Sequence, residues 1–417
     1  MAHDEISQTD RRAFLQASAL GTAAAMSLST GSIAQDAPAK DTTIPTRKLG
    51  KTGIEVTLLD QGAVRGSAYD NVLRLSYARG VRVFDTAKVY GTEPNLKKWF
   101  EKTPEVRKSI VLITKDMPKR PTQIPKMVDE RLKALGTDYL DVFFVHGLGD
   151  DHKLEDAVNM VAGKGEIGAE FKAAADAIKK SGKVKAIGFS SHHKDRAQLI
   201  QAAAEGGIVD AIMLQYSPWL EKDSPLNKAL DAAHKAGIGL ISMKQIAAHG
   251  FGDAPKGNIL EDVMKKAPIL KERGLKPFQG LLHAIWSDER ISAVCVSMRN
   301  TDQVRENTEA ARKYEPLKIA EIEQLRDAVL AQGPTLCTDC DGRCSLAAGT
   351  TAELGNLTRF LTYHQHLGDR TEARRQFAAM APEARDWTGA DLAAAREACP
   401  HGLDFAKLMQ DVERHLA

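Results

Sequence analysis

Short apolar runs alternate with helical stretches from about residue 46 to residue 310. The runs are Val56–Asp60, Val81–Phe84, Ser109–Thr114, Leu140–Val145, Val184–Phe189, Ala211–Gln215, Ile238–Met243 and Ser292–Val296. Each is largely apolar and rich in β-branched or aromatic residues, the composition of a strand buried on both faces. Between them the spacing turns helical: Val128–Leu135 is amphipathic, and Gly136 supplies a left-handed stop. Eight βα units in one run predict an α/β fold, a (β/α)8 barrel, with a doubly wound open sheet as the alternative. Asp150–Glu170 interrupts the rhythm with a more polar stretch holding Gly163, Gly165 and Gly168. It reads as a long loop, either a cover for an active site or a mobile surface insertion. After about Gln332 the pattern changes to short helices without strands. The expected organisation is therefore a leader and linker over 1–40, a barrel over 41–332, and a small helical module over 333–417.

The leader is set apart by its own pattern. Arg11-Arg12-Ala13-Phe14-Leu15-Gln16 precedes a weakly apolar Ala/Ser/Gly stretch that runs to about Ala34. A basic pair, a short apolar segment and small residues make a twin-arginine processing signal, with Ser32 and Ala34 at the cleavage positions. A short amphipathic helix is the alternative. The signal predicts recognition by the twin-arginine translocase and a periplasmic protein that folds, with any cofactor, before export. No later segment approaches the ~20 continuous apolar residues of a membrane span. With 57 basic and 55 acidic side chains the formal net charge is +2. That balance argues against a nucleic-acid or membrane-surface binder.

Candidate chemistry begins directly after the second strand, with Asp85-Thr86-Ala87-Lys88-Val89-Tyr90-Gly91. This segment resembles the Asp-Thr-Ala-x-x-Tyr-Gly signature of the aldo-keto reductases. Further matches follow in order: Thr114-Lys115 ending strand three, Thr137–His146 across strand four, Gly182–Ser190 on strand five, and Arg305-Glu306-Asn307 near the end. The resemblance spans residue 46 to about residue 315. It implies a tetrad of Asp85, Tyr90, Lys115 and His146 at the C-terminal face of the barrel. Hydride transfer to a carbonyl creates an oxyanion that needs a proton, and Tyr90 would supply it as the general acid. Lys115 would favour the ionised phenol, Asp85 would hold Lys115, and His146 would orient the carbonyl.

The cofactor implied by the resemblance is NADP(H), and its pocket departs from the family in places. The family binds the nicotinamide carboxamide with a Ser-Asn pair after strand five and a Gln on strand six. Here Ser190 is kept, Ser191 replaces the Asn, and the Gln position falls on Met213. Gln215 lies two residues on, on the same strand face, and could compensate. Tyr216 is expected either to stack on the ring or to pack at the strand end. At the other end, Arg299, Asn300, Gln303, Glu306 and Asn307 resemble the adenosine-binding segment. Arg299 would pair with the 2′-phosphate or lie in solvent.

Cys337, Cys340 and Cys344 form a Cys-x2-Cys-x3-Cys run, and Cys399-Pro400-His401-Gly402 supplies a fourth thiol. Three clustered cysteines and a remote one before proline suit a 4Fe–4S cluster. The module resembles the ferredoxin-like extension of some aldo-keto reductases, with both of its cysteine runs eroded. A zinc site, two disulfides or free thiols stay open as alternatives. Cys295 reads as a small buried residue of strand eight.

The sequence thus predicts an exported NADP-linked oxidoreductase acting on a small carbonyl or alcohol, with one iron–sulfur centre and a possible redox partner protein. The alternative is a non-nicotinamide redox or metal-binding protein on a degenerate barrel, motivated by Ser191 and Met213. A cytoplasmic reductase with a spurious leader is a third reading.

Overall fold

The computed structural model describes residues 43–64, 69–149, 152–193, 195–218, 222–245, 265–330, 337, 342–365, 370–399 and 402–417. The twin-arginine leader, Cys340 and Pro400 lie outside them.

Strands β1 (Thr46–Lys48) and β2 (Glu55–Thr57) form an antiparallel pair. Eight further strands close a parallel barrel: β3 (Leu59–Gln61), β4 (Val83–Asp85), β5 (Val111–Asp116), β6 (Leu140–Val145), β7 (Val184–Ser191), β8 (Ala211–Gln215), β9 (Gly239–Met243) and β10 (Ile291–Val296). They pair in chain order, and β10 returns to β3. The two-residue period of a strand sorts side chains between two cores. Val83, Ile113, Val142, Phe144, Ala186, Met213, Ile241 and Ala293 fill the barrel interior. Their neighbours Phe84, Leu112, Phe143, Ile187, Ile212, Leu214, Leu240 and Val294 join the core beneath the surrounding helices. All eight expected strands are present, and the closed barrel replaces the open-sheet alternative.

Two expectations need correction. The run Val56–Asp60 is divided between β2 and β3, with Leu58 at the break. The reason lies in the β1–β2 hairpin, whose Leu49, Ile54 and Val56 join the interior cluster and plug the barrel's N-terminal end. Leu49 lies so close to Gly239, the first residue of β9, that a Cβ there would fall 2.5 Å from its side chain. The stretch read as a long polar loop is largely helical, with helices Leu154–Ala162 and Gly165–Lys180 on either side of Gly163. Ala157, Met160 and Val161 bury a helical stripe in the outer core. Glycines and charges on the solvent face hid that stripe.

Beyond the barrel, helices Arg343–Ala347, Leu354–Gln365, Arg370–Ala379, Leu392–Ala398 and Phe405–His415 gather around their own cluster, with Leu357, Leu361, Phe405, Leu408 and Val412 at its centre. Asp391 caps the helix before Cys399 by accepting from the Ala393 and Ala394 amides. From Leu357 to His364 the helix Leu354–Gln365 is buried on every face. Among the described residues no helix is long and apolar enough to cross a membrane.

Candidate active site

The four residues of the expected tetrad come together at the C-terminal ends of β4, β5 and β6. Asp85 ends β4, Lys115 lies near the end of β5, and His146 follows β6 directly. Tyr90 is brought back over the barrel by a short 3-10 turn, Lys88–Tyr90, closed by Gly91 in the left-handed region at φ 69°. The Lys115 ammonium hydrogen-bonds Asp85 Oδ1 in a short contact and also donates to the Thr86 carbonyl at 3.1 Å. It lies 5.6 Å from the centre of the Tyr90 ring. Tyr90 Oη is 3.3 Å from His146 Nε2, with the two rings edge to face.

The electrostatics divide the roles. Burial works against the Lys115 charge, but Asp85 and Tyr90 more than offset it and hold its pKa above the ordinary value. Burial raises Asp85, and Lys115 pulls it back. His146 is pushed down to about 3, first by burial and then by Lys115 and Lys244. A neutral imidazole is therefore in place at every physiological pH. It can orient an oxygen by hydrogen bonding and leaves proton donation to Tyr90. Behind this group a second buried network ties β5 to its neighbours. Arg131 bonds Glu93 at 2.6 Å and lies 3.3 Å from Asp116, while Thr114 donates to Glu93 at 2.9 Å.

The residues expected to hold a dinucleotide are placed unevenly. Met213 is inside the barrel, and Gln215 lies two residues further toward the mouth on the same face, paired with Met243 of β9. Gln215 is thus the amide at the mouth, as its spacing implied. Ser190 lies beside Met213 across β7 and β8, and its hydroxyl accepts from the Gly147 amide at 3.1 Å. Ser191 donates to the Leu148 carbonyl and accepts from the His193 amide, so its hydroxyl braces the loops after β6 and β7. Tyr216 does not face the mouth. Strand alternation turns it into the outer core, where its hydroxyl donates to Asp288 at 2.7 Å. Of its two expected roles the structure shows packing.

At the adenosine end, Arg299 lies two residues before the helix Thr301–Arg312, and its amide donates to Gln303 Oε1 at 2.8 Å. Asn300 caps that helix, Asn307 is buried in it, and Glu306 pairs with Lys276 at 2.7 Å. A helix N-terminus flanked by an arginine suits a phosphate. At the nicotinamide end Ser191 and Tyr216 are engaged elsewhere, which leaves Gln215 at the mouth as the amide that could meet a carboxamide, while the helix start at Asn300 suits the phosphate end.

The cysteines are brought together in part. Cys344 is buried in the module core, and Cys337 and Cys399 pack against the same cluster; Cys344 and Cys399 are free thiols. Burial, with a further contribution from Cys399, raises the Cys344 pKa to about 11. Among the described residues no three His, Cys, Asp or Glu side chains form a metal-holding group. The described thiols therefore do not by themselves fit a cluster.

Several residues at the mouth escaped the sequence reading. Asp60 on β3 faces the interior with Cys295 as its β10 partner. Lys244, just after β9, has φ 51°, the left-handed region, the one non-glycine residue so placed among those described. Arg359, from the helix Leu354–Gln365, donates to Gln215 Oε1 at 3.2 Å. A lone lysine after a strand and an arginine 144 positions from its partner carry no local signal.

Residues 60–329 match the Aldo/keto reductase family. The L-galactose dehydrogenase of Arabidopsis thaliana is 26% identical over 318 residues, covering 69% of this chain and 96% of that protein. The aldo-keto reductase yakc [NADP(+)] of Schizosaccharomyces pombe is 27% identical over 256 residues, covering 54% of this chain and 68% of its own length. Among solved structures, the holo form of an aldo-keto reductase from Bacillus halodurans superposes with a TM-score of 0.54 at 19% identity, covering 68% of this chain and 96% of that one, a likeness of fold. Because the family match runs from the first barrel strand past the last, the chain belongs to the aldo/keto reductase family and is an oxidoreductase.

Proposed function

We propose that this oxidoreductase interconverts a small carbonyl compound and its alcohol with NADP(H). The observation that carries the reading is the contact of Tyr90 Oη with His146 Nε2 at 3.3 Å, beside a Lys115 that is paired to Asp85. NADPH, when bound, supplies the hydride. His146 and Tyr90 hold the carbonyl oxygen between them, and Tyr90 gives it a proton. Lys115 stabilises the phenolate left behind, and Asp85 keeps that ammonium in place. The names of two similar proteins, an L-galactose dehydrogenase and an NADP(+) aldo-keto reductase, support a sugar-like carbonyl and this cofactor. Consumption of NADPH by the purified chain, followed over a panel of aldehydes and ketones, tests the reading. No quenching of NADPH fluorescence and no turnover would favour the barrel without nicotinamide.

The sharing of one apolar cluster by Cys337, Cys344 and Cys399 supports a second part of the proposal, an iron–sulfur centre completed by Cys340. Anaerobically purified protein should then absorb broadly in the blue and contain about four irons per chain. Cys399→Ala should lose that absorbance. Zinc, or thiols that titrate without any metal, would remove the centre and leave the barrel chemistry untouched.

A further inference from the structure

Two arginines grip the strand end that carries Gln215. Arg196 Nε donates to the Gln215 backbone carbonyl at 3.0 Å and fixes the main chain at the end of β8. Arg359 Nη1 donates to the side-chain oxygen, Oε1, at 3.2 Å. The second of these comes from outside the barrel. Arg359 belongs to the helix Leu354–Gln365, 144 positions further along the chain, and Leu357 and Leu361 anchor that helix in the module core. Arg359 is 3% exposed and Gln215 1%, so the contact is made away from bulk water, where a hydrogen bond to a charged group is strong.

An amide side chain has one accepting and one donating end of nearly equal shape. A guanidinium has five donors and no acceptor, so it can face only the oxygen. Arg359 therefore decides which way Gln215 points: Oε1 lies toward the module, and the NH2 group is left for whatever enters the mouth. Among the described residues nothing accepts from that NH2 group. Ser191 offers no substitute donor, because its hydroxyl already donates to the Leu148 carbonyl. Among the described residues no carboxylate forms an ion pair with Arg359, whose other neighbours are the rings of Phe360 and Tyr363. Burying a guanidinium is costly, and Gln215 is the acceptor that this one meets.

We infer that Arg359 is a positioning residue: by holding Oε1 it presents the Gln215 NH2 group to the carboxamide oxygen of the nicotinamide, so the C-terminal module completes the cofactor site of the barrel. The inference rests on the NADP(H) reading and adds to it a residue that lies beyond the family match at 60–329. Without the guanidinium the amide is free to turn over and offer either end.

Calorimetric titration of the full chain with three probes tests this. They are NADPH, its 3-acetylpyridine analogue, which keeps the carbonyl oxygen and lacks the amine, and 2′,5′-ADP, which lacks the nicotinamide altogether. Arg359→Met should weaken NADPH and the analogue alike, about 10-fold, and leave 2′,5′-ADP at the wild-type affinity. Arg359→Lys, which keeps a charged donor, should lose less. In a Gln215→Ala background Arg359→Met should have no further effect, because the residue acts only through that amide. The inference falls if NADPH affinity is unchanged, if all three probes weaken together so that the module merely supports the barrel, or if the two substitutions add. It falls equally if NADPH binds more tightly to Arg359→Met, since Arg359 would then be an obstruction. An analogue that alone keeps its affinity would also overturn it, because Gln215 would then meet the amine. A wild-type chain that binds neither NADPH nor 2′,5′-ADP would defeat the nicotinamide reading itself, and the inference with it.

Discussion

Strands β3 and β4 lie side by side in the barrel, and each buries an aspartate. Asp85 on β4 holds the Lys115 ammonium. Asp60 on β3 is 0% exposed, and neither of its carboxylate oxygens has a hydrogen-bond partner. Burial, and then the neighbouring Asp85 charge, hold the Asp60 pKa well above the ordinary carboxylate value. Removing a charge from water is costly, and the chain meets that cost in two ways. Asp85 keeps its charge through a partner and so can fix a cation beside Tyr90. Asp60 has no cation bonded to it, so burial and the Asp85 charge disfavour its ionised form. Burial alone therefore does not decide what a buried carboxylate can do; the partner does.

The largest expected effect lies at the end of the paired chain of groups. Tyr90→Phe removes the proposed proton donor and leaves the Asp85–Lys115 pair as it was. Carbonyl reduction should fall about 10²- to 10⁴-fold, the range for loss of a general acid, while NADPH binding measured by fluorescence stays near the wild-type value. Unaltered turnover would separate the tetrad from the chemistry, and the contrast between the two aspartates would lose its functional meaning.

Lys115→Met converts Asp85 into a second Asp60. An uncompensated buried carboxylate costs about 3–5 kcal/mol when its partner is taken away, so the urea midpoint should drop sharply at neutral pH. The loss should shrink on acidification as Asp85 takes up a proton. A variant as stable as the wild type across that range would show that the pair contributes little to holding β4 and β5 together.

The strands of the barrel were legible because burial on both faces writes a continuous apolar run, and the tetrad because Asp85–Gly91 and the segments after it resemble the signature of a known family. Asp85, Lys115 and His146 need only strand register to meet, and register follows from the pattern. Tyr90 needs one turn with a left-handed glycine, which the motif itself contains. The remainder depends on contacts distant in sequence. The hairpin plug was hidden because Val56 reads equally well as the start of the next strand. Ser191 and Tyr216 each have a plausible ligand role by position, and only the Leu148 carbonyl and Asp288 show where their hydroxyls go. Arg359 could have raised suspicion as the one charge in Leu357–His364, an otherwise apolar or uncharged run, but nothing local names Gln215 as its partner.

The smallest expected effect belongs to Asp60, and its sign is the informative part. In the unfolded chain this carboxyl ionises near pH 4, whereas in the folded barrel it keeps its proton to a higher pH. Above about pH 4 the folded state therefore binds more protons than the unfolded one, and stability falls as pH rises toward the folded pKa. Asn has nothing to titrate and resembles the protonated acid in shape. Asp60→Asn should accordingly change little at pH 5 and raise the melting temperature at pH 8, by about 2 °C if the difference is near 1 kcal/mol. Calorimetric scans of both chains at the two pH values measure this. A gain that is larger at pH 5 than at pH 8, or a loss at pH 8, would mean that Asp60 is ionised in the folded barrel. Asp60 would then share Lys115 with Asp85, and β3 would belong to the catalytic group alongside β4.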